Sequence, residues 1–261
     1  SNRFQINFRN HRKLLVVDGR TGFIGGNNLG DEYLQYRDTH IRIEGTAVQH
    51  IQFTFIKDWY WATGQIIPVS TEIVASEQSD QAVAIVNTGP ADETPACSIL
   101  FSSLVSSARS RLWITSPYFV PDDAMVRVLQ AAALRGVDIR IILPDKPDQL
   151  LVTLASYTYY DDMLNNGVRL YRYRERFMHQ KVILVDDTVA GVGTVNLDNR
   201  SLYLNFEATA LVADDVFIKQ VEDMLIKDLE NSTPVQCEHF YDKPLYVGIA
   251  ANMARLASPL L

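Results

Sequence analysis

Met178-His179-Gln180-Lys181-Val182-Ile183-Leu184-Val185-Asp186 decides the fold, because Asn10-His11-Arg12-Lys13-Leu14-Leu15-Val16-Val17-Asp18 repeats it near the amino end. Counting from each His, Lys stands at +2, Asp at +7, Gly25 and Gly193 at +14, and Asn28 and Asn196 at +17. The two frames lie 168 residues apart and mark an internal duplication. In each, the four apolar residues between Lys and Asp are too few for a helix and rich in Val, Leu and Ile, so they form a buried strand. Side chains alternate along a strand, which puts His and Lys on one side. Asp18 and Asp186 have the opposite parity and read as structural supports at the strand end. Gly and Asn then fall on a return strand, where the glycine admits close backbone approach and the carboxamide comes back beside His and Lys. Two such copies facing each other would make a cationic pocket with two imidazoles, suited to gripping a phosphate and passing it from one His to an acceptor.

The paired frame H-x-K-x4-D-x6-G-x2-N resembles the catalytic signature of the phospholipase D superfamily. Asn10 to Gly19, Arg37-Asp38-Thr39-His40, Ile114-Thr115-Ser116-Pro117-Tyr118-Phe119-Val120-Pro121 and Ser258-Pro259-Leu260-Leu261 narrow the likeness to its bacterial cardiolipin synthase branch. That resemblance implies an α/β fold of pseudo-twofold architecture, with a mixed, largely parallel sheet flanked by helices. It implies that one His attacks a phosphodiester to give a phosphohistidine-linked intermediate while the other protonates the leaving alcohol and later deprotonates the incoming one. We assign His11 as the nucleophile and His179 as the acid/base, although two symmetric motifs leave the reverse open. The branch implies transfer of a phosphatidyl group to the glycerol hydroxyl of phosphatidylglycerol, giving cardiolipin. The motifs alone leave a phospholipase D-type hydrolase or nuclease open, as well as a catalytically silent fragment of a longer synthase.

With 261 residues and 47% apolar content the chain can bury a sizeable core. A formal charge of −7 offers no global basic field, which argues against nucleic acid as a partner. Cys97 and Cys237 have no metal spacing, and no apolar run long enough to span a membrane is present. The expected partners are phosphatidylglycerol and related anionic phospholipids at a membrane surface, on its cytoplasmic face. His11 arrives after only ten residues, whereas about a hundred residues of strand and helix signals precede the second frame. A truncated first lobe is therefore expected, its remainder supplied by an upstream segment or by a homo-oligomer.

The pattern divides the chain into the rest of a first lobe (1–64), a crossing (65–81), a second lobe (82–231) and an amphipathic tail (232–261). Thr39 to Glu44 alternates as a half-buried strand, and Ala47 to Thr63 has helical spacing that stops at Gly64. Trp59, Tyr60 and Trp61 on that helix read as packing aromatics rather than lipid contacts. From Ala82, strands alternate with helices: Ala82–Val86, then a loop through Thr88, a helix to Ser110, Leu112–Thr115, Asp123–Arg135, Ile139–Leu143, a helix to Asn166, and Val168–Tyr173. Asn205–Val212 is a further strand and Asp215–Leu229 an amphipathic helix. Arg169 to Phe177 carries four arginines just before His179, either as a protected strand edge or as a phosphate recruiter. Leu245 to Leu261 is either an interfacial helix or one packed on its own domain.

The site expected from the repeat comprises His11, Lys13, Asn28, His179, Lys181, Asn196 and Glu207. The lysines are point charges for non-bridging phosphate oxygens, and the asparagines neutral donors to the same atoms. Glu207 is expected to orient His179. Asp38, offset by one residue from the matching place, is its counterpart for His11. His40, His50 and His239 lack the frame and read as structural. No cofactor is called for, and no metal, since no His, Asp and Glu cluster has ligand spacing.

Overall fold

The computed structural model describes residues 7–68, 80–146, 148–236 and 245–260. The amino-terminal part opens with the two-residue strand β1 (Arg9–Asn10), continues through β2 (Leu14–Val17), β3 (Thr21–Gly25) and β4 (His40–Glu44), and closes with helix α1 (Ala47–Thr63). The second part begins β5 (Ala82–Thr88), α2 (Ala96–Ser107), β6 (Arg111–Thr115), β7 (Phe119–Val120), α3 (Asp123–Leu134), β8 (Asp138–Pro144), α4 (Leu150–Asn165) and β9 (Arg169–Tyr173). It ends β10 (Val182–Val185), β11 (Val189–Gly193), β12 (Leu197–Asp198), β13 (Asn205–Ala213), α5 (Asp215–Glu230), β14 (Ser232–Pro234) and α6 (Leu245–Arg255). The expected loop through Asn87 and Thr88 is instead the end of β5, because both residues pair with β13. Most of the crossing, residues 69–79, lies outside the described residues, as do Cys237 and His239.

A nine-stranded sheet runs β1-β13-β11-β10-β6-β8-β9-β14, with β5 also on β13. It is mixed, but not largely parallel. Parallel pairing is confined to β6-β8-β9, where α3 and α4 provide the crossovers, and to the short β1–β13 contact. The remaining pairs are antiparallel because they are built from hairpins and returning strands. A separate antiparallel sheet holds β2, β3 and β4. Strands β1 and β14 cross the divisions read from sequence, since each adds to the large sheet from outside residues 82–231.

Apolar residues of β6, β8 and β10 pack with α2, α3 and α4 on one face of the large sheet, and Ala254 of α6 joins that core. On the other face, Trp113, Val182, Leu184, Ala190 and Val192 meet Ile218, Val221 and Leu225 of α5. Beside them Ile24, Ile43, Val48 and Ile51 pack on Ala208 and Ala210, which seats the small sheet and α1 against β13. Burying a side chain of this size stabilises by about 1.5–3 kcal/mol. α1 ends at Gly64 with φ 69°, a left-handed stop that glycine adopts without penalty. Trp59, Tyr60 and Trp61 lie outside the core, 38%, 54% and 69% exposed, because α1 buries the face of Val48 and Ile51, but Trp61 packs edge-on against Phe206 of β13 with ring centroids 5.4 Å apart. Among the described residues no helix is long and apolar enough to cross a membrane.

Candidate active site

The duplication is visible strand by strand. β2 and β3 reappear 168 residues later as β10 and β11, with the same hairpin register and with Asp18 and Asp186 both in left-handed backbone at φ 53° and 50°. Gly25 pairs with His40 and Gly193 with Thr209, so the third strand is offset by 169. That one-residue change makes Asp38 and Glu207 equivalent, each two residues before the partner of its glycine. A Cβ at Gly25 or Gly193 would overlap backbone of the neighbouring strand, which is why the frame has glycine there.

The two histidines reach one place because each enters it on the other copy's strand. Asn10 bridges Phe206 in parallel and the His11 amide donates to the Phe206 carbonyl at 2.9 Å. Symmetrically, Met178 bridges Arg37 and the His179 amide donates to the Arg37 carbonyl at 2.8 Å. This exchange corrects the expected pairing of acids. Glu207 meets His11, with Nδ1 2.9 and 3.0 Å from its two carboxylate oxygens, and Asp38 meets His179, with Nδ1 2.6 Å from Oδ2. Each acid shares a repeat with one histidine but is the spatial neighbour of the other, across the pseudo-twofold. With each Nδ1 held by a carboxylate, each Nε2 is left for the substrate.

Both rings line a cleft of about 470 Å³, together with Asn28, Asn196, Arg9, Arg200, Tyr33, Tyr36, Tyr118, Asp148, Asp198 and Asn205. Lys13 and Lys181 stand behind the histidines: each ammonium donates to the main-chain carbonyl of the His two residues earlier. Burial lowers Lys181 to about 7 and Lys13 to about 8, against the pull of Glu207 and Asp38. A bound phosphate would bring both back toward the charged form. Burial also lowers His179, against the opposing hydrogen bond that its Nδ1 donates to Asp38.

Glu207 is fully buried, and burial alone would raise its carboxyl. The His11 charge and hydrogen bonds from His11, Thr194 and Asn205 hold it below its ordinary value. Asp38 accepts from the Thr39 amide at 2.8 Å. Just before it, Arg37 pairs bidentately with Asp228 of α5 at 2.9 and 3.0 Å and donates to the Asp38 carbonyl at 3.0 Å. Sequence reading missed Thr194, Asn205 and the Arg37–Asp228 pair. Thr194 lies inside the second frame, between Gly193 and Asn196, and Arg37 inside the Arg37–His40 word, but Asn205 and Asp228 carry no local signal. Asp186 accepts from the Arg109, Ser110 and Arg111 amides and the Ser110 hydroxyl, at 2.8–2.9 Å, tying the second hairpin to β6.

The Arg169–Phe177 segment does not line the cleft. Arg169 pairs with Asp138, and Arg172 donates to the Pro144 carbonyl and the Tyr160 hydroxyl, so those two charges are used around β9, which β8 and β14 flank on both sides and which is therefore not a sheet edge. Only Phe177 approaches the site, its ring centroid 6.0 Å from that of His179. His40 is held outside the frame, its Nδ1 accepting from the Asn27 amide at 3.3 Å.

The family described as "Cardiolipin synthase, PLD-like domain" matches residues 101–229. Over its whole length the chain is 47% identical to cardiolipin synthase A of Pseudomonas putida and covers 55% of that protein. It is 45% identical to cardiolipin synthase A of Pseudomonas entomophila, covering 56%. The chain thus spans about half the length of these curated relatives. Phosphatidylserine synthase of Haemophilus influenzae superposes with a TM-score of 0.73 over 97% of this chain and 70% of that one, at 16% identity. Nuc of Salmonella typhimurium, a phospholipase D family member, gives 0.52 over 60% and 99%, at 18% identity. Residues 101–229 thus match a phospholipase D-like domain of the cardiolipin synthase type, and the whole chain is similar to cardiolipin synthase A.

Proposed function

We propose that the cleft transfers a phosphatidyl group from a phospholipid to the glycerol hydroxyl of phosphatidylglycerol, through a phosphohistidine. The observation that carries this reading is the pair of imidazoles on one cleft, each with Nδ1 on a carboxylate and Nε2 left over. His11 is the nucleophile: it is the more exposed ring, with 25% of its side chain accessible against 9% for His179. Its Nε2 attacks phosphorus, the P–N bond forms and the P–O bond to the leaving alcohol breaks. His179, whose burial makes its protonated form the stronger acid, gives the alkoxide a proton and then takes one from the incoming hydroxyl. Asn28 and Asn196 donate to the phosphate oxygens, and Lys13 and Lys181 supply charge from behind. Residues 1–64 and 82–231 act as the two lobes of this site. The protein works on the cytoplasmic face of a membrane, on phosphatidylglycerol and related anionic phospholipids.

Incubation with phosphatidylglycerol vesicles tests the reading. Cardiolipin supports it; phosphatidic acid alone would make the protein a hydrolase, and neither product would make it a silent module. His11→Ala and His179→Ala are each expected to lower turnover by about a hundredfold or more, as loss of a nucleophile or acid/base does.

A further inference from the structure

A surface helix of a globular domain turns its large apolar residues inward and its polar ones to water. Helix α6 reverses that order. Its inner face is made of small residues, with Ala251 and Ala254 buried and Ala254 in the core that holds Tyr159 of α4. The Tyr159 hydroxyl donates to Ser258 Oγ at 3.4 Å, and the Arg255 guanidinium lies over the Tyr159 ring, 5.0 Å from its centroid. The large side chains face out. Tyr246, Ile249, Met253 and, just past the helix end, Leu256 are between 54% and 85% exposed. Steps of three, four and three residues place them on one stripe. Packing on α4 therefore accounts for the alanines and leaves the stripe without a partner among the described residues.

Charge and size say what covers it. Residues 245–261 hold no acidic side chain and one basic one, Arg255, in a chain whose net charge is −7, so this is a surface that an anionic layer does not repel. A stable interface between two copies takes roughly 800 Å² and some 20–30 residues from each partner, and four side chains fall short of that. A lipid bilayer sets no such requirement, because apolar side chains enter it singly. The helix also sits beside the site: it packs on α4, whose amino end supplies Gln149 and Val152 to the histidine-lined cleft and leaves Leu150 and Leu151 exposed. We infer that α6 is an interfacial helix, lying in the headgroup region of a phospholipid bilayer with Tyr246, Ile249, Met253 and Leu256 set against the acyl chains. The inference rests on the phospholipid reading of the cleft and names the surface that brings the cleft to its substrate.

Flotation of the full chain with vesicles of equal parts phosphatidylglycerol and phosphatidylcholine tests it without needing turnover. The wild-type chain is expected to float, and its partition to change less than about twofold between low salt and about 1 M salt, since insertion of apolar side chains is not screened. Ile249→Ser with Met253→Ser is expected to weaken partition about a hundredfold, about tenfold for each side chain. The conservative pair Ile249→Leu with Met253→Leu is expected to float like wild type. If the serine pair does not fold, Met253→Ser alone carries the test, with its tenfold loss. Serine variants that float like wild type, or wild-type binding that salt abolishes, overturn the inference. So does a lipid-free dimer in sedimentation velocity that the serine pair dissociates, because a second copy then covers the stripe. A chain that floats through the stripe but makes no product from phosphatidylglycerol defeats the transfer reading and leaves the interfacial helix standing.

Discussion

Asp38 and His179 form the shortest of the imidazole–carboxylate contacts at the site, 2.6 Å, and the two residues come from different copies of the repeat. Asp38→Asn removes the interaction that opposes the burial-driven fall of the His179 pKa. The ring then protonates only at lower pH. In the proposed reaction His179 carries a proton to act as acid, so the alkaline limb of kcat/KM should move to lower pH. The pH–rate profile reads this directly; an unmoved limb would return Asp38 to a merely structural place. Lys181 makes a second prediction. Its folded value of about 7 lies below the ordinary 10.5, so the unfolded chain holds more protons between those values and stability rises with pH across that window. Below it the buried ammonium costs stability. Lys181→Met is therefore expected to raise Tm near pH 7 by about 2–4 °C per kcal/mol regained, while turnover is lost. Calorimetry beside an activity assay checks both halves. At this scale the frame of His, Lys and Asn was readable because spacing repeats on the page. The partner of each ring was not, because it depends on which copy's strand the histidine joins.

The hairpins illustrate what periodicity does and does not disclose. Four apolar residues between Lys and Asp were enough to place β2 and β10, but only β10 is buried as expected, since β2 leaves Leu15 and Val17 56% and 44% exposed; Gly64, Gly136 and Gly167, at φ 69°, 90° and 89°, mark helix ends that sequence alone located. Pairing direction was hidden, since an apolar run looks the same beside a parallel or an antiparallel neighbour. The outward turn of Trp59 to Trp61 was hidden for a related reason: an aromatic run carries no mark of which side the core lies on. Asp186 is the element-scale prediction. Burial alone would raise its carboxyl, but three backbone amides and the Ser110 hydroxyl hold it down. On acidification the unfolded chain takes up the proton first, so its contribution is complete above the ordinary carboxylate range and fades as pH falls through the lower folded value. Asp186→Ala should cost about 2 kcal/mol at neutral pH, and the gap to wild type should close in acid. Denaturant melts at pH 7 and pH 3 measure it.

Across the whole molecule, two charged latches fasten the amino-terminal part to the large sheet. Arg12 reaches the Glu207 and Thr88 carbonyls at 3.0 and 3.1 Å and Asp58 of α1 at 2.6 Å, while Arg37 grips Asp228. Arg37→Met leaves Asp228, only 4% accessible, without its cation and should lower stability by about 3 kcal/mol. It should lower turnover too, because the same arginine steadies Asp38; urea unfolding followed alongside turnover would show the two falling together. The fold class and the presence of a two-histidine cleft were legible from a duplicated frame, but the latches, being single long-range contacts, were not.

The exchange of carboxylates between repeats has an evolutionary corollary. Neither repeat is self-sufficient: each imidazole borrows its proton partner from its twin. A polypeptide bearing the frame once would have to associate with a second molecule before either ring was correctly held, and fusing two such genes would make that obligatory partnership covalent. After fusion the halves cannot drift apart independently, since a carboxylate lost from one disarms the histidine of the other.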